Sequence, residues 1–485
     1  MQLILDRKIP FDKKTLAALF LVELLILWIG ITFSPHQPPW VPIALVGAMF
    51  LLALPVYPQL LFPFMILSTA MDQTGALIAD TRLFGASDIS LTGFHLAGGS
   101  AFLFFALYLL FKRRTHLPRL ELTLPLALFL IANGLSILYA PEKLAAAIHF
   151  ARLFLLSAFL FLTAYLVDSK WSLTLVIASV VICSTITGIL GIVQTLTTEL
   201  FLPANVIQEI GASIPRAAGT YHNPNDFATS LMIPIVLLSA LLINLKMALW
   251  KRFVLAFPTG VLIAALLTTL SRTNWLAMSI GILCVAFFTK KLKILFVTLM
   301  AILIILGGLS VISHDFAELV FGRFLSIFKV ITEFKSSLHI SGASRVLLVV
   351  AAFSMFLDHP VFGIGARGFP ILFSEYRPPE YPVWLPVKES HTLPATILAE
   401  LGVIGFVITV WLLVVILQAG IRTIREADDP YLKTSAIGLL GVFVAYQVNL
   451  LFTAAITDNY LWMMTGLLFS VRFIQQRHRA MQEEA

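Results

Sequence analysis

The chain is 485 residues long, 59% hydrophobic and only 12% charged, with a mean hydropathy of +0.94, a balance that excludes a soluble globule. Apolar runs of about 20 residues recur without period-two alternation, which excludes a β-barrel and predicts a polytopic α-helical membrane protein. The net charge of +7 does not point to nucleic acid, because most Lys and Arg lie in short segments between apolar runs, where they set orientation. Cys183 and Cys284 both fall inside predicted spans, which argues against a disulfide framework or a cysteine metal site.

In chain order, residues 1–14 are basic (Arg7, Lys8, Lys13, Lys14) and are predicted to be cytoplasmic. Residues 15–34 form the first span. The run is too long for a signal-peptide core and no small-residue cleavage site follows, so it reads as an anchor. Glu23 inside it is an ionisable residue without a motif around it. Residues 40–71 are apolar but interrupted by Pro55, Pro58 and Pro63, and read as two short helices or a re-entrant pair. An outer loop at 72–92 and a span at 93–111 lead to KRRTHLPR, the strongest cytoplasmic marker in the chain. Further spans are predicted near 122–140, 144–167, 172–195, 227–245, 253–270, 274–289 and 294–312. After a long outer loop at 314–390, the last three fall near 393–417, 434–452 and 460–473.

Basic residues concentrate in the segments assigned to the inside, although the outer segments are longer, so both termini are predicted to be cytoplasmic. The fold class that follows is all-α: a polytopic membrane protein of about 12 to 14 transmembrane helices, with a long, partly helical outer loop before the third-last span. Residues 1–485 form a single integral membrane domain, without internal repeat or low-complexity tract. Within the loop, Phe316, Leu319, Val320, Phe324, Ile327, Phe328, Ile331 and Phe334 share one helical stripe with charges opposite, which predicts a helix lying flat in the interface. The apolar run at 345–357 is short for a span, and crossing there would place the basic segment at Arg422 outside. It reads as a partly inserted helix.

Three stretches carry chemistry. SIPRAAGTYHNPNDF, residues 213–227, ends like a helix start: Asn223 suits an N-cap, Pro224 the first helical position, and Asp226 the first turn. A helix N-terminus at a membrane surface, with Arg216 just before it, is a ready anion site, although a capped span after an ordinary loop fits the same residues. KESHTLPATILAELGVIG, residues 388–405, repeats the pattern with Thr392 and Pro394. His391 then stands at the mouth of a span, where an imidazole is able to take a hydroxyl proton or simply make an interfacial hydrogen bond. Glu400, roughly two turns further on, is an ionisable group inside a span, where such groups are costly and usually paired; helix packing beside Gly402 and Gly405 is the plainer account. DHPVFGIGARGF, residues 358–369, holds a GxGxxG pattern (Gly363, Gly365, Gly368) without the βαβ context of a dinucleotide site, and reads as a tight outer loop with backbone near substrate. No P-loop, HExxH or acidic-pair motif suggests nucleotide hydrolysis, a metal or a cofactor.

RAAGTYHNPNDFA, LSRTNWLAM, HPVFGIGARGF and ESHTLPATILAELGVIG, in that order and with a long outer loop before the histidine, resemble the O-antigen ligase and Wzy-type polymerase superfamily. The resemblance covers roughly the second half of the chain. It implies a GT-C-like, metal-independent, inverting glycosyltransferase of the bacterial inner membrane. Such an enzyme passes a glycan from undecaprenyl diphosphate to an acceptor, lipid A–core or a growing polysaccharide, on the extracytoplasmic face. It maps phosphate-binding arginines onto Arg216 and Arg272 and the loop histidine onto His391, with Asn223, Asn225, Arg345, Arg367, Glu389 and Glu400 as candidate substrate-binding residues. His391-Thr392 departs from the family's frequent His-Asn, which bears on the acceptor contact.

Attack at an anomeric carbon expels a lipid diphosphate whose charge grows in the transition state. Two arginines near low-dielectric lipid can stabilise that charge without a metal. The partners implied are the bilayer, the lipid-linked donor and a glycan or lipid-glycan acceptor. A transporter or flippase of lipid-linked glycan is the alternative, but it predicts inverted repeats and midplane polar groups, whereas here the polar groups gather on one face.

Overall fold

The computed structural model describes residues 61–70, 76–78, 91–92, 120–197, 216–221, 223–291, 341–381, 383, 387 and 389–483, with scattered helical positions between 296 and 308. Its elements are α1 (Leu61–Ala70), β1 (Ala76–Ile78), β2 (Leu91–Thr92), α2 (Thr123–Ser136), α3 (Lys143–Leu166), α4 (Lys170–Thr197), α5 (Pro224–Asn244) and α6 (Leu249–Thr268). There follow α7 (Arg272–Thr289), α8 (Ser341–Asp358), α9 (Phe369–Tyr376), α10 (Leu393–Glu426), α11 (Pro430–Leu450) and α12 (Asn459–Glu483). Among the described residues the regular elements are helices apart from β1 and β2, a short antiparallel pair. Seven of the described helices, α3 to α7, α10 and α11, are long and apolar enough to cross a membrane. The expected first span, the amphipathic stripe at 316–334 and Glu23 lie outside the described residues.

The expected spans from residue 122 to 289 and at 434–452 coincide with observed helices to within a few residues, and the one expected at 393–417 continues as α10 to Glu426. Apolar runs in hydrocarbon have one way to satisfy their backbone, so the pattern locates the helix. The expected inserted helix at 345–357 is α8, 18 residues long. Leu347, Leu348, Ala351, Ala352 and Met355 on one side are buried, while Val346, Val349, Val350 and Phe353 on the other are exposed. The last expected span opens α12, which continues as a polar helix to Glu483.

At the centre is α5, buried along most of its length and packed against α4, α6, α7 and α11. α7 and α11 pack closely. A Cβ at Gly281 would stand 2.9 Å from the Gly441 carbonyl oxygen, so the backbones touch as small-residue membrane interfaces allow. Outside this centre, α3 packs on α12 and α2 on α10.

The bundle has two chemically different ends. At one, charges pair: Glu121 receives both Arg422 and Arg472, Asp429 receives Lys170, Asp428 receives Arg479, and Asp168 lies 3.3 Å from Arg477. These residues come from the segments that the charge bias assigns together to one side. The opposite end gathers the three motif stretches.

α10 contains a break that explains one of them. Gly402 adopts φ 65° and ψ −165°, a conformation reserved for glycine. The break removes the helical partners of four backbone groups, and the loop at 359–368 replaces all four. Ile364 N–H donates to the Ala399 oxygen at 2.9 Å and Gly365 N–H to the Glu400 oxygen at 2.9 Å. In return, Val403 N–H donates to the Pro360 oxygen at 2.9 Å and Ile404 N–H to the Val361 oxygen at 3.4 Å. A broken helix at membrane depth persists only with such replacement. A Cβ at Gly363 or Gly402 would overlap the facing backbone. Of the three glycines in this loop, Gly363 faces the Glu400–Leu401 backbone of α10, Gly365 faces Ala140 after α2, and Gly368 packs on the loop itself.

Candidate functional site

Arg216 approaches along the segment before α5. Its position is set from three sides. Ala217 N–H donates to the Thr268 oxygen at 3.1 Å, tying the segment to the end of α6. Gln194 of α4 clamps Gly219, donating to its oxygen and accepting its N–H, each at 2.9 Å. Gly219 has φ 57°, and a Cβ there would stand 2.7 Å from the Phe227 ring. The expected cap then forms: the Asn223 side chain accepts Asn225 N–H at 2.9 Å, and Pro224 opens α5. His222 in the same stretch lies outside the described residues.

The guanidinium itself is aimed by neighbours. Nε donates to the Thr269 oxygen at 2.8 Å and Nη2 to Asn225 Oδ1 at 3.0 Å. Behind Asn225 runs a buried chain of amides and hydroxyls. Ser271 Oγ donates to Asn225 Oδ1 at 2.9 Å, and Asn274 Nδ2 donates to the Asn225 carbonyl at 3.2 Å. Thr229 Oγ1 and Asn449 Nδ2 both donate to Asn274 Oδ1, at 3.1 and 3.0 Å. The chain joins the starts of α5 and α7 to the end of α11. Asn274 is completely buried. Of the two amides expected near substrate, Asn223 serves as a cap and Asn225 holds the arginine.

Arg272 is the first residue of α7, and Arg345 lies near the start of α8. Both are close enough to Arg216 to act on it. Burial, then the charges of Arg345 and Arg272, pull the Arg216 guanidinium down to about 10, where it is still cationic at neutral pH. Arg345 in turn feels Arg272 and, with opposite sign, Glu389. Three guanidiniums from three separate segments therefore converge at one end of the bundle.

His391 is paired with Glu389. Its Nδ1 is 3.0 Å from Glu389 Oε1, with both side chains about a third exposed. Burial alone raises the Glu389 carboxyl. The hydrogen bond from His391, the charges of His391 and Arg367 and a bond from Ala454 N–H outweigh it and hold the group below the usual carboxylate value. Thr392 stands at the N-cap position of α10, but its side chain does not cap, contrary to expectation. Ser390 folds over this start, its Oγ receiving Thr392 N–H at 3.3 Å and pairing with Thr396 Oγ1 at 2.6 Å.

Glu400 faces a cavity of about 50 Å³ that it shares with Asn133, His149, Arg367, Glu389 and Thr396, room for a few waters. Its carboxylate accepts the Phe369 N–H at 3.2 Å and a backbone bond from Arg367. It anchors the 359–368 loop, while the imidazole is held by Glu389. Leu270, Arg367 and His391 have φ of 53°, 59° and 57°. Left-handed backbone at non-glycine residues is costly and concentrates where structure serves a site. Three of the four such residues among those described lie here.

Several partners escape a sequence reading. His149 and Arg152, three residues apart on one face of α3, lie within electrostatic reach of each other, and His149 also feels Arg367. The signal was present, because ionisable residues inside an apolar run mark a functional face. Asp458 accepts the Tyr446 hydroxyl at 3.1 Å and the Tyr460 N–H at 2.8 Å. Burial raises its carboxyl, with the Tyr460 N–H and the Arg152 charge among the opposing effects. Asn274, Asn449 and Gln194 are polar residues in spans, with nothing local to name their partners. Among the described residues, no group of three or more His, Cys, Asp or Glu is placed to hold a metal ion.

Residues 257–410 match the family model described as O-Antigen ligase, Wzy_C. The matched stretch runs from within α6 into α10, taking in Arg272, Arg345, Arg367, Glu389, His391 and Glu400, and it supports the O-antigen ligase/Wzy superfamily. No curated protein matches the chain.

Proposed function

Proceeding from an O-antigen ligase domain at residues 257–410 in a multi-pass membrane protein, we propose that the chain transfers a glycan from undecaprenyl diphosphate to an acceptor hydroxyl at the extracytoplasmic face of the bacterial inner membrane. The observation that carries this reading is the convergence of Arg216, Arg272 and Arg345 beside the Glu389–His391 pair. Clustered guanidiniums suit a diphosphate, and a neighbouring imidazole suits a hydroxyl.

In this reaction the acceptor oxygen attacks the anomeric carbon from the face opposite the diphosphate, inverting it. The new C–O bond forms as the bond to the diphosphate oxygen breaks. The hydroxyl proton passes to His391, and undecaprenyl diphosphate leaves with its charge against the arginines. Positive charge already fixed in place stabilises the leaving group without reorganisation, which is the largest contribution such a site makes. The acceptor class is lipid A–core or a growing polysaccharide.

The test is donor binding measured beside single-turnover transfer on the purified protein. Arg216→Ala is expected to weaken binding of the undecaprenyl-diphosphate glycan. His391→Ala is expected to keep that binding and lose transfer by about 100- to 10,000-fold. Equal loss of donor affinity in both variants, or parental transfer by His391→Ala, overturns the division of roles.

A further inference from the structure

Glu389 and His391 are two residues apart. In an extended segment that spacing leaves side chains on one face about 6.6 Å from each other along the chain. The left-handed φ of 57° at His391 folds the segment so that Nδ1 reaches Glu389 Oε1 at 3.0 Å. Glu389 is itself fixed from two further elements. Ala454, in the connection between α11 and α12, gives it a backbone N–H, and Arg367, in the loop seated on α10, faces it with a positive charge. Glu400 is not an equivalent partner, because its carboxylate is occupied by the Phe369 and Arg367 N–H groups.

We propose that Glu389 is a positioning residue for His391, holding Nδ1–H so that Nε2 is the atom that accepts the acceptor hydroxyl's proton. The inference rests on the transfer reaction above and deepens it. An imidazole has two nitrogens, and the hydrogen bond at one decides which is free to act as a base. With Nδ1 committed, the hydroxyl O–H bond breaks as the Nε2–H bond forms, and the imidazolium that results has a carboxylate beside it, as in hydrolase triads. The strained backbone at His391 has a use on this account, because a relaxed conformation would part the two side chains.

The experiment combines nitrogen NMR of isotope-labelled histidine in the purified, lipid-embedded protein with single-turnover transfer. His391→Ala identifies the His391 signal, and thermal unfolding establishes that each variant is folded. In the parent, neutral His391 is expected to carry its proton on Nδ1. Glu389→Ala is expected to lose that preference and to slow transfer on the order of 100-fold at unchanged donor affinity. Glu389→Asp is expected to recover part of both the tautomer and the rate. A parent His391 protonated on Nε2, or a tautomer that ignores Glu389→Ala, overturns the proposal. If the parent holds the Nδ1–H tautomer but transfers no glycan, the reaction falls and the positioning role stands. If transfer needs His391 but not Glu389, the positioning role falls and the reaction stands.

Discussion

Asn225 Oδ1 receives Arg216 Nη2 at 3.0 Å and the Ser271 hydroxyl at 2.9 Å, so one amide oxygen joins the arginine before α5 to the start of α7. With Nε bound to the Thr269 carbonyl, two of the guanidinium's donors are committed to the protein and its plane is set. A lysine at this position has neither the fork nor the plane. Arg216→Lys is therefore expected to weaken donor binding and slow transfer although charge is kept. Asn225→Ala, which leaves the charge but releases the plane, is expected to cost donor affinity about 10-fold, the value of one hydrogen bond to a charged group. Titration of the purified variants with lipid diphosphate checks both, and parental affinity in both variants demotes Arg216 to an anchor.

Gly402 is the point where α10 breaks and the 359–368 loop seats. Both its φ of 65° and the Val361 carbonyl against it forbid a Cβ. Gly402→Ala is expected to destabilise the protein by about 1–3 kcal/mol from backbone strain alone, with further loss from the displaced loop. A Cβ added at Gly260 in α6 would meet nothing within 4 Å, so Gly260→Ala is expected to be neutral or slightly stabilising. Thermal unfolding in lipid nanodiscs distinguishes them, and a stable Gly402→Ala protein contradicts the seating of the loop.

Asp429 does two things at the paired-charge end. Oδ1 accepts the Tyr431 and Leu432 N–H groups at 3.0 Å each, capping α11, and Oδ2 receives Lys170 at 2.6 Å. Burial alone raises its carboxyl, but the Lys170 bond and the cap outweigh it and lower it. A lowered carboxyl stabilises the fold above the ordinary carboxylate value, and that contribution is lost as pH falls through the folded value. Asp429→Asn keeps a capping oxygen and loses the ion pair, so it is expected to cost under about 1 kcal/mol at neutral pH and to flatten the acid side of the stability curve. Asp429→Ala also loses the cap, worth about 0.5–2 kcal/mol. Equal stability of the two variants contradicts the capping role.

Lys251 and Arg377 are both exposed, and the charge bias assigns them to opposite sides of the membrane. Single cysteines at these positions are expected to respond differently to an impermeant reagent applied from outside, with only position 377 modified. Labelling of position 251 alone reverses the orientation.

The helices were legible because hydrocarbon leaves the backbone one solution, and because Asn223, Pro224 and Asp226 write a helix start in local code. Arg216, Arg272, Arg345, Arg367, Glu389 and His391 were each legible as polar residues at or between the edges of apolar runs, and Glu400 as an ionisable residue inside one. Their division of labour was not. Glu389 and Glu400 look alike in sequence, yet one reaches the imidazole and the other a pair of backbone N–H groups. Local pattern gives the α10 cap to the Thr392 hydroxyl, whereas Ser390, two residues earlier, folds over it and takes its N–H.

The amino-acid sequence by itself determined that this chain is a bundle of apolar helices with its candidate site residues in three interhelical stretches, since burial of apolar surface and backbone satisfaction depend on local pattern. Only the tertiary structure decided that Asn274 and Asn449, 175 residues apart, share a hydrogen bond behind Arg216, or that GIGARG fills the break in α10. Helix packing sets those distances, and a hydrogen bond exists only once both partners are held within about 3 Å, which no spacing along the chain encodes.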